Sequence, residues 1–213
     1  MSDLEILGIP LSSYTWSVRL VCAEKGVAFE MVEQFPQSRQ QKALHPFGKV
    51  PVLRHGDFHL YETSAILRYL DDTYPEPPLQ PETPRERAVM EQWISAINDV
   101  YYDAMMRRLA LQRLAPSIAD RPSDEAVIEN ALPDVAFQLD LLDKVFADTD
   151  FLAGDRVSLA DILLLPIIAT LAVTPEGDDF LNNRPHLRRW QKAMAARPSF
   201  VATMPSFLDD LPL

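Results

Sequence analysis

The sequence predicts a two-domain protein in which an α/β domain with a four-stranded sheet precedes a domain made only of helices. Short strand-like and helix-like patterns alternate up to residue 74, whereas the pattern beyond residue 85 is helical throughout. Between them, PEPPLQPETP at 75–84 has five prolines in ten residues, which excludes a helix or central strand and indicates a stiff linker. We therefore expect domains at 1–78 and 85–213, joined by residues 79–84.

The first domain is predicted from an ordered series of short elements. An apolar run at 4–9 has the length of a strand and is ended by Pro10, and a helical pattern at 16–25 is ended by Gly26. Further strands are expected at 29–33, 51–54 and 58–61, and further helices at 38–44 and 63–74. The order β-α-β-α-β-β-α is typical of a thioredoxin-like layer of helices on a small mixed sheet.

The second domain shows long helical periodicity with few stops. A helical pattern runs from 85 to 114, breaks at 116–122 and resumes from Ser123, with a kink or interruption expected at Pro133. Ser158 and Asp161 form an S-x-x-D capping box ahead of a buried apolar helix, for which we predict a structural role.

The composition excludes several classes of function. A formal net charge of −11 opposes binding to nucleic acid or to an anionic membrane, and no apolar run is long enough to span a bilayer. The first residues lack the features of a signal peptide, so we expect a cytoplasmic protein. Cys22, the single cysteine, cannot form an internal disulfide or a C-x-x-C pair, and lies on the apolar face of its helix. Four scattered histidines give no metal-ligand spacing, so no metal site is expected.

Two junctions within residues 45–71 are expected to present polar groups at single points. Because Pro51 keeps the preceding residue extended, the N–H and C=O of Val50 should be free to pair with another extended backbone. At Glu62 and Thr63 a strand ends and a helix begins, which brings side-chain oxygens and free N–H groups together. That combination suits the ammonium and carboxylate groups of an amino acid.

These residues resemble the glutathione-binding half of the glutathione transferases, whose loop–Val–Pro and strand–Glu/Gln–Ser/Thr–helix junctions hold the tripeptide. The segment GDRVSLAD at 154–161 resembles the C-terminal core motif of that family, so the resemblance spans almost the whole chain. SSYTWSVRL at 12–20 is similar to the zeta-class signature SSCxWRVR, with Tyr14 and Ser17 in place of its cysteine and arginine. FGKVP and the pair Glu62-Thr63 are closer to the phi class.

The resemblance implies a serine-type enzyme, in which a hydroxyl at the start of the first helix stabilises the glutathione thiolate. Ser12 is the expected donor, and Ser13 takes its place if the loop is one residue out of register. A hydrogen bond to the thiolate would lower the pKa of the thiol and raise the ionised fraction at neutral pH. A plain helix cap is the alternative role for these serines. A nucleophilic serine is not expected, because no histidine lies in this segment.

The resemblance also implies binding roles for the two junctions. Val50 would pair with the tripeptide backbone, Glu62 with its ammonium and Thr63 with its α-carboxylate, while Lys49 or Arg39 would neutralise the glycyl carboxylate. The electrophile pocket should be apolar and close to the sulfur. Its expected residues are Leu11, Tyr14, Trp16, Tyr101, Tyr102 and Met105. An ordinary core would also account for the aromatic and methionine residues among them.

The expected function is conjugation of the glutathione thiolate to a small hydrophobic electrophile, with glutathione as a cosubstrate and no tightly bound cofactor implied. We expect a homodimer in which Phe47 inserts into the partner subunit, and we expect no nucleic-acid or membrane partner. Two alternatives stay open. The first is a glutathione-dependent cis–trans isomerase, which would need a cationic pocket; position 17 has serine and not arginine, which disfavours it. The second is a non-catalytic binding protein, which would keep the fold without turnover.

Overall fold

A computed structural model describes residues 3–208, except for the side chain of Phe207. Within this range the chain divides into two compact units, residues 3–80 with 196–208 and residues 81–195. The first unit therefore includes a C-terminal segment that the order of sequence patterns did not indicate.

The first unit contains a mixed four-stranded sheet, as predicted. Its strands are β1 (Leu4–Gly8), β2 (Glu30–Glu33), β3 (Val52–His55) and β4 (Phe58–Tyr61), in the spatial order β2-β1-β3-β4. Strand β1 pairs with β2 in parallel and with β3 in antiparallel orientation, and β3 pairs with β4 in antiparallel orientation. The helices α1 (Ser13–Glu24), α2 (Arg39–Leu44) and α3 (Thr63–Thr73) follow the predicted order and complete a thioredoxin-like domain.

The second unit consists of helices over most of its length. These are α4 (Pro84–Ala96), a π-helical segment (Ile97–Ala110), α5 (Leu111–Ile118), α6 (Glu125–Asp148), α7 (Leu159–Ala172), α8 (Gly177–Asn182) and α9 (Pro185–Ala195). The break expected from Pro116 begins three residues later, at Ala119, because α5 includes that proline. Pro133 lies inside α6 without ending it, so no interruption occurs there.

Helix α7 forms the buried centre of the second unit. All of its residues are buried, and the predicted capping box at its start is confirmed. The Asp161 carboxylate is fully buried and accepts from four donors: the backbone N–H groups of Leu152 and Ser158, the Ser158 hydroxyl and the Trp190 indole. Burial raises the pKa of Asp161, and these hydrogen bonds oppose the rise. None of the helices within residues 3–208 is long and apolar enough to cross a membrane, and the cytoplasmic location stays a prediction.

The C-terminal part of the first unit packs on α1. Its helix α10 (Pro198–Thr203) places Phe200 against Trp16, with 5.2 Å between the ring centroids. The Trp16 indole N–H donates to the Thr203 hydroxyl over 2.9 Å. Arg197 adds a two-point contact to the Glu24 carboxylate, with both N–O distances at 2.7 Å. These contacts stabilise the segment on α1 through both apolar burial and charged hydrogen bonds.

Candidate active site

The register of the sheet brings three junctions, β1–α1, loop–β3 and β4–α3, to one edge of the first unit. Leu7 pairs with Val52, and Val52 pairs with Tyr61. The end of β1, the beginning of β3 and the end of β4 therefore lie side by side, because neighbouring strands are less than 5 Å apart. The chain leaves this edge toward Ser12 after β1 and toward Glu62 after β4.

Ser12 caps α1 at the first of these junctions. Its backbone is extended, with φ −71° and ψ 122°, and its Oγ accepts from the Thr15 N–H over 3.3 Å. A hydroxyl that accepts one hydrogen bond can still donate its own hydrogen. The capping role and a donor role toward a ligand are therefore compatible in one side chain. Ser13 is the first residue of α1 and only 6% exposed, so Ser12 is the more accessible of the two hydroxyls.

The residues near Ser12 that were predicted to contact the electrophile differ in exposure. Leu11 is 49% exposed and Tyr14 is half-buried. Trp16 is 1% exposed and bonded to Thr203, which places it in the core of the first unit. Cys22 also lies in this core, as predicted, and burial raises the pKa of its thiol to about 12. Its thiol therefore stays protonated at neutral pH, which disfavours redox or nucleophilic chemistry.

The loop before β3 presents an open backbone edge at Val50. The Val50–Pro51 peptide bond is cis, and among residues 3–208 neither the N–H nor the C=O of Val50 has a hydrogen-bond partner. Two hydrogen bonds hold the rest of the loop in place. Gln41, fully buried in α2, donates through its side-chain amide to the Lys49 carbonyl, and the Gly48 N–H donates to the His45 carbonyl over 2.8 Å.

The junction between β4 and α3 has a backbone conformation that the sequence did not predict. Glu62 has φ 70° and ψ 112°, a region that non-glycine residues rarely adopt at a cost of about 1–3 kcal/mol. Its side chain is 56% exposed, so its carboxylate can reach a ligand. Thr63, 7% exposed, is the first residue of α3, and its N–H has no acceptor within the helix.

The predicted cationic residues lie on the exposed surface around α2. Arg39 is the first residue of α2, and Lys49 is exposed on the loop, with its Nζ 5.9 Å from the centre of the Phe47 ring. Phe47 is 63% exposed, although it is a large apolar side chain. This pairing covers part of the Phe47 ring with a charged group and leaves most of the ring open.

Sequence reasoning missed His45, which is only 2% exposed and lies beside Glu62. Its ring packs against Tyr61 with 4.7 Å between centroids, and its Nδ1 accepts from the Phe47 N–H over 3.2 Å. Its Nε2 lies 3.9 Å from a Glu62 carboxylate oxygen. Burial lowers the pKa of His45; the Glu62 carboxylate opposes this and the Lys49 ammonium adds to it. The only signal in the sequence was a histidine at the start of the turn HPFG.

The other residues predicted for the electrophile pocket belong to the second unit. Met105 is fully buried, Tyr101 is 4% exposed, and burial raises the pKa of Tyr101 to about 12. Tyr102 is half-buried, with the Arg107 guanidinium 5.3 Å from its ring centre. Their part in a pocket stays a prediction.

A groove lies on the second unit between the π-helical segment and α6. Its volume is about 440 Å³. Three exposed apolar side chains, Val100, Phe137 and Leu141, line it. Asp99, Asp103, Asp134 and Arg108 supply charged groups to the same lining. Arg108 pairs with Asp103 at 2.9 Å and with Asp134 at 2.7 Å, so the groove combines an apolar lining with charged groups of net negative charge.

Two models of known protein domains match this chain, one in each half. The chain matches the models of the glutathione S-transferase N-terminal domain over residues 7–78 and C-terminal domain over residues 101–198. Glutathione S-transferase F10 of Arabidopsis thaliana is 33% identical over 90% of this chain and 92% of its own length. The chain belongs to the glutathione S-transferase family.

Two further relatives are similar over nearly the whole chain. Glutathione S-transferase 3 of Zea mays is 32% identical over 96% of this chain and 94% of its own. A theta class glutathione S-transferase from Xanthomonas axonopodis pv. citri, solved with glutathione bound, has 28% identity and a TM-score of 0.85, over 97% of this chain and 99% of that chain. The predicted family and its similarity to the phi class are confirmed, whereas a catalytic serine and the zeta-like details of residues 12–20 stay predictions.

Proposed function

We propose that this transferase conjugates glutathione to a small hydrophobic electrophile, with the Ser12 hydroxyl donating to the sulfur. The observation that carries this proposal is the row of three junctions, β1–α1, loop–β3 and β4–α3, at one edge of the first unit. An extended peptide on this edge would meet the unpaired backbone of Val50 in its middle. The capping hydroxyl of Ser12 and the carboxylate of Glu62 would lie to either side.

Each polar group of the tripeptide has a matching group in this row. The Glu62 carboxylate would bind the ammonium, and the N–H and hydroxyl of Thr63 would bind the α-carboxylate at the start of α3. The backbone of Val50 would pair with the cysteinyl residue, and Lys49 or Arg39 would bind the glycyl carboxylate. The tripeptide would therefore be held at both ends, with its thiol facing the start of α1.

The chemical step then needs only a thiolate. The thiol loses its proton to solvent, and the Ser12 hydroxyl donates to the resulting anion at the positive end of α1. The sulfur electron pair forms a C–S bond to the electrophile, and the displaced group leaves with the electrons of its former bond. Leu11 and Tyr14 are the residues of the first unit that we propose contact the electrophile.

Replacing Glu62 by glutamine tests the binding part of this proposal. We expect glutathione to bind wild type in a calorimetric titration and the E62Q variant to bind at least about 10-fold more weakly, because a hydrogen bond to a charged group contributes roughly 1.5–3 kcal/mol. Glu129→Gln, on the exposed surface of α6, is the matched control and should bind like wild type. Failure of wild type to bind glutathione would overturn the function, and wild-type affinity in E62Q would overturn the role of Glu62.

We also propose a homodimer in which Phe47 of each protomer docks into the groove between the π-helical segment and α6 of its partner. The chain exposes both a large aromatic ring and an apolar groove, and exposed apolar surfaces of this kind mark protein–protein interfaces. The groove is large enough for a phenyl ring, and the net negative charge of its lining would attract the ammonium of Lys49 beside that ring.

Changing Phe47 to serine should convert the dimer into a monomer. Light scattering behind a sizing column measures the mass directly, and we expect the F47S variant near 24.1 kDa at concentrations where wild type has twice this mass. Phe35→Ser removes a similarly exposed ring, 59% accessible, and should leave the dimer intact. A monomeric wild type, or a dimeric F47S protein, would rule out this interface.

A further inference from the structure

His45 is a buried titratable group that the proposed mechanism does not use, although it lies beside a residue that the mechanism needs. It ends α2 and begins the turn His45-Pro46-Phe47-Gly48, which the Gly48 N–H closes by donating to the His45 carbonyl. The ring packs against Tyr61, and its Nδ1 accepts from the Phe47 N–H within this turn. Its place is therefore set by the turn and by β4.

The hydrogen bond at Nδ1 decides which ring nitrogen carries the proton. Because the Phe47 N–H donates to Nδ1 over 3.2 Å, Nδ1 must be unprotonated, and the neutral ring carries its hydrogen on Nε2. Nε2 is also the ring atom that lies 3.9 Å from Glu62 Oε1. The neutral ring thus turns the positive end of an N–H dipole toward the Glu62 carboxylate without neutralising its charge.

This contact acts on a residue whose backbone is held in an unfavourable conformation. Glu62 has a positive φ, and its carboxylate is otherwise exposed to solvent. A buried imidazole on one side of that carboxylate restricts where it can point. We propose that His45 is a positioning residue that holds the Glu62 carboxylate for the glutathione ammonium, and that protonation of its ring weakens glutathione binding.

The effect of protonation follows from the same contacts. An imidazolium carries a hydrogen on Nδ1 that would face the Phe47 N–H, so the turn would lose a hydrogen bond. Its positive charge would also pair with Glu62 and repel the ammonium that Glu62 is proposed to bind. The charged groups of the described residues that act on the ring are Glu62 from the β4–α3 junction and Lys49 from the loop, and the titratable Tyr61 packs on its face.

The direction of the pH effect can be worked out. Burial lowers the pKa of His45, so the ring is neutral at and above neutral pH and glutathione affinity is at its maximum there. As the pH falls through that lowered pKa, the free protein takes up a proton that must leave before the ammonium binds. The dissociation constant should therefore rise on the acid side, and bound ligand should lower the pKa of His45 further.

The test uses S-methylglutathione, which has the ammonium but no ionisable thiol. Calorimetric titrations from pH 5 to 8 should show the dissociation constant of wild type rising at least threefold at the acid end. His45→Asn keeps an acceptor at the position of Nδ1 and removes Nε2, so it should bind about threefold more weakly at pH 8 with no acid-side loss. His59→Asn, which removes an exposed histidine from β4, should behave like wild type.

Two further measurements separate positioning from a purely structural role. In a Glu62→Gln background, His45→Asn should change affinity less than twofold, because the carboxylate it acts on is gone. The NMR titration of the His45 ring in wild type should shift to lower pH when S-methylglutathione is added, and this measurement does not depend on any variant folding. Additive effects of the two substitutions, or a His45 titration unaffected by ligand, would overturn the inference.

This inference rests on the proposed function, and the two fail differently. If S-methylglutathione does not bind wild type at pH 8, the proposed function itself is wrong. If it binds tightly and His45→Asn has wild-type affinity over the whole pH range, glutathione binding stands and only the role of His45 is lost.

Discussion

Replacing Ser12 by alanine is expected to lower kcat/KM for conjugation by about 100-fold while changing the affinity for glutathione little. The Ser12 hydroxyl would donate to a charged sulfur, and removing one such preorganised donor typically lowers the rate by roughly 100- to 1,000-fold. The same loss should raise the pKa of the bound thiol by about 1–2 units, because a hydrogen bond to a charged group contributes roughly 1.5–3 kcal/mol. Thiolate absorbance of the complex as a function of pH measures this shift.

The loss of the helix cap must be separated from the loss of the donor. Ser12 Oγ also accepts from the Thr15 N–H, so S12A should lower the free energy of unfolding by about 1 kcal/mol. Thr83→Ala removes an equivalent cap from α4, where the hydroxyl accepts from the Glu86 N–H, and should reduce stability without affecting the thiol. Ser12→Thr keeps a hydroxyl and should retain most activity.

Three results would revise the role of Ser12 or the proposed function. Full activity in S12A together with loss in Ser13→Ala would move the donor by one residue. Full activity in both variants would remove serine from the mechanism, and a complex that binds glutathione without any turnover would indicate a binding protein.

Replacing Asp161 by asparagine is expected to lower the free energy of unfolding by about 3 kcal/mol. The two carboxylate oxygens accept from four donors in a fully buried position. An amide has one oxygen and cannot accept through its NH₂ group, so at least one of the donor pairs loses its acceptor. Leaving buried donors unpaired costs roughly 1–3 kcal/mol each, a large fraction of the 5–15 kcal/mol typical of whole proteins.

Urea unfolding followed by tryptophan fluorescence measures this loss, because Trp190 donates to Asp161 and stacks on Phe146 at 5.0 Å. Asp155→Asn makes the same chemical change at an exposed position in the preceding loop and should shift stability by less than about 0.5 kcal/mol. A loss below about 1 kcal/mol in D161N would show that the four hydrogen bonds do not hold the start of α7.

The elements that the sequence predicts well are those whose signals lie within a few residues. Strand β4 occurs at the predicted residues 58–61, and α3 begins at Thr63 as expected, because alternation and turn residues are local. The capping box at Ser158 and Asp161 could also be predicted from the sequence, since both of its hydrogen bonds span three residues. The π-helical form of Ile97–Ala110 could not be predicted, because apolar spacing alone does not distinguish a π-helix from an α-helix.

The fold class, the order of the elements and the residues at the Val50 and Glu62–Thr63 junctions follow from local patterns in the sequence. The alignment of these junctions in one row comes from the folded sheet, since the pairing of Leu7 with Val52 and of Val52 with Tyr61 joins segments far apart in the chain. Tertiary packing also brings the Trp16 indole to the Thr203 hydroxyl, and His45 Nε2 to within 3.9 Å of a Glu62 carboxylate oxygen. Periodicity and capping signals in a sequence report local conformation. These contacts depend instead on which distant surfaces are buried together, so no local signal predicts them.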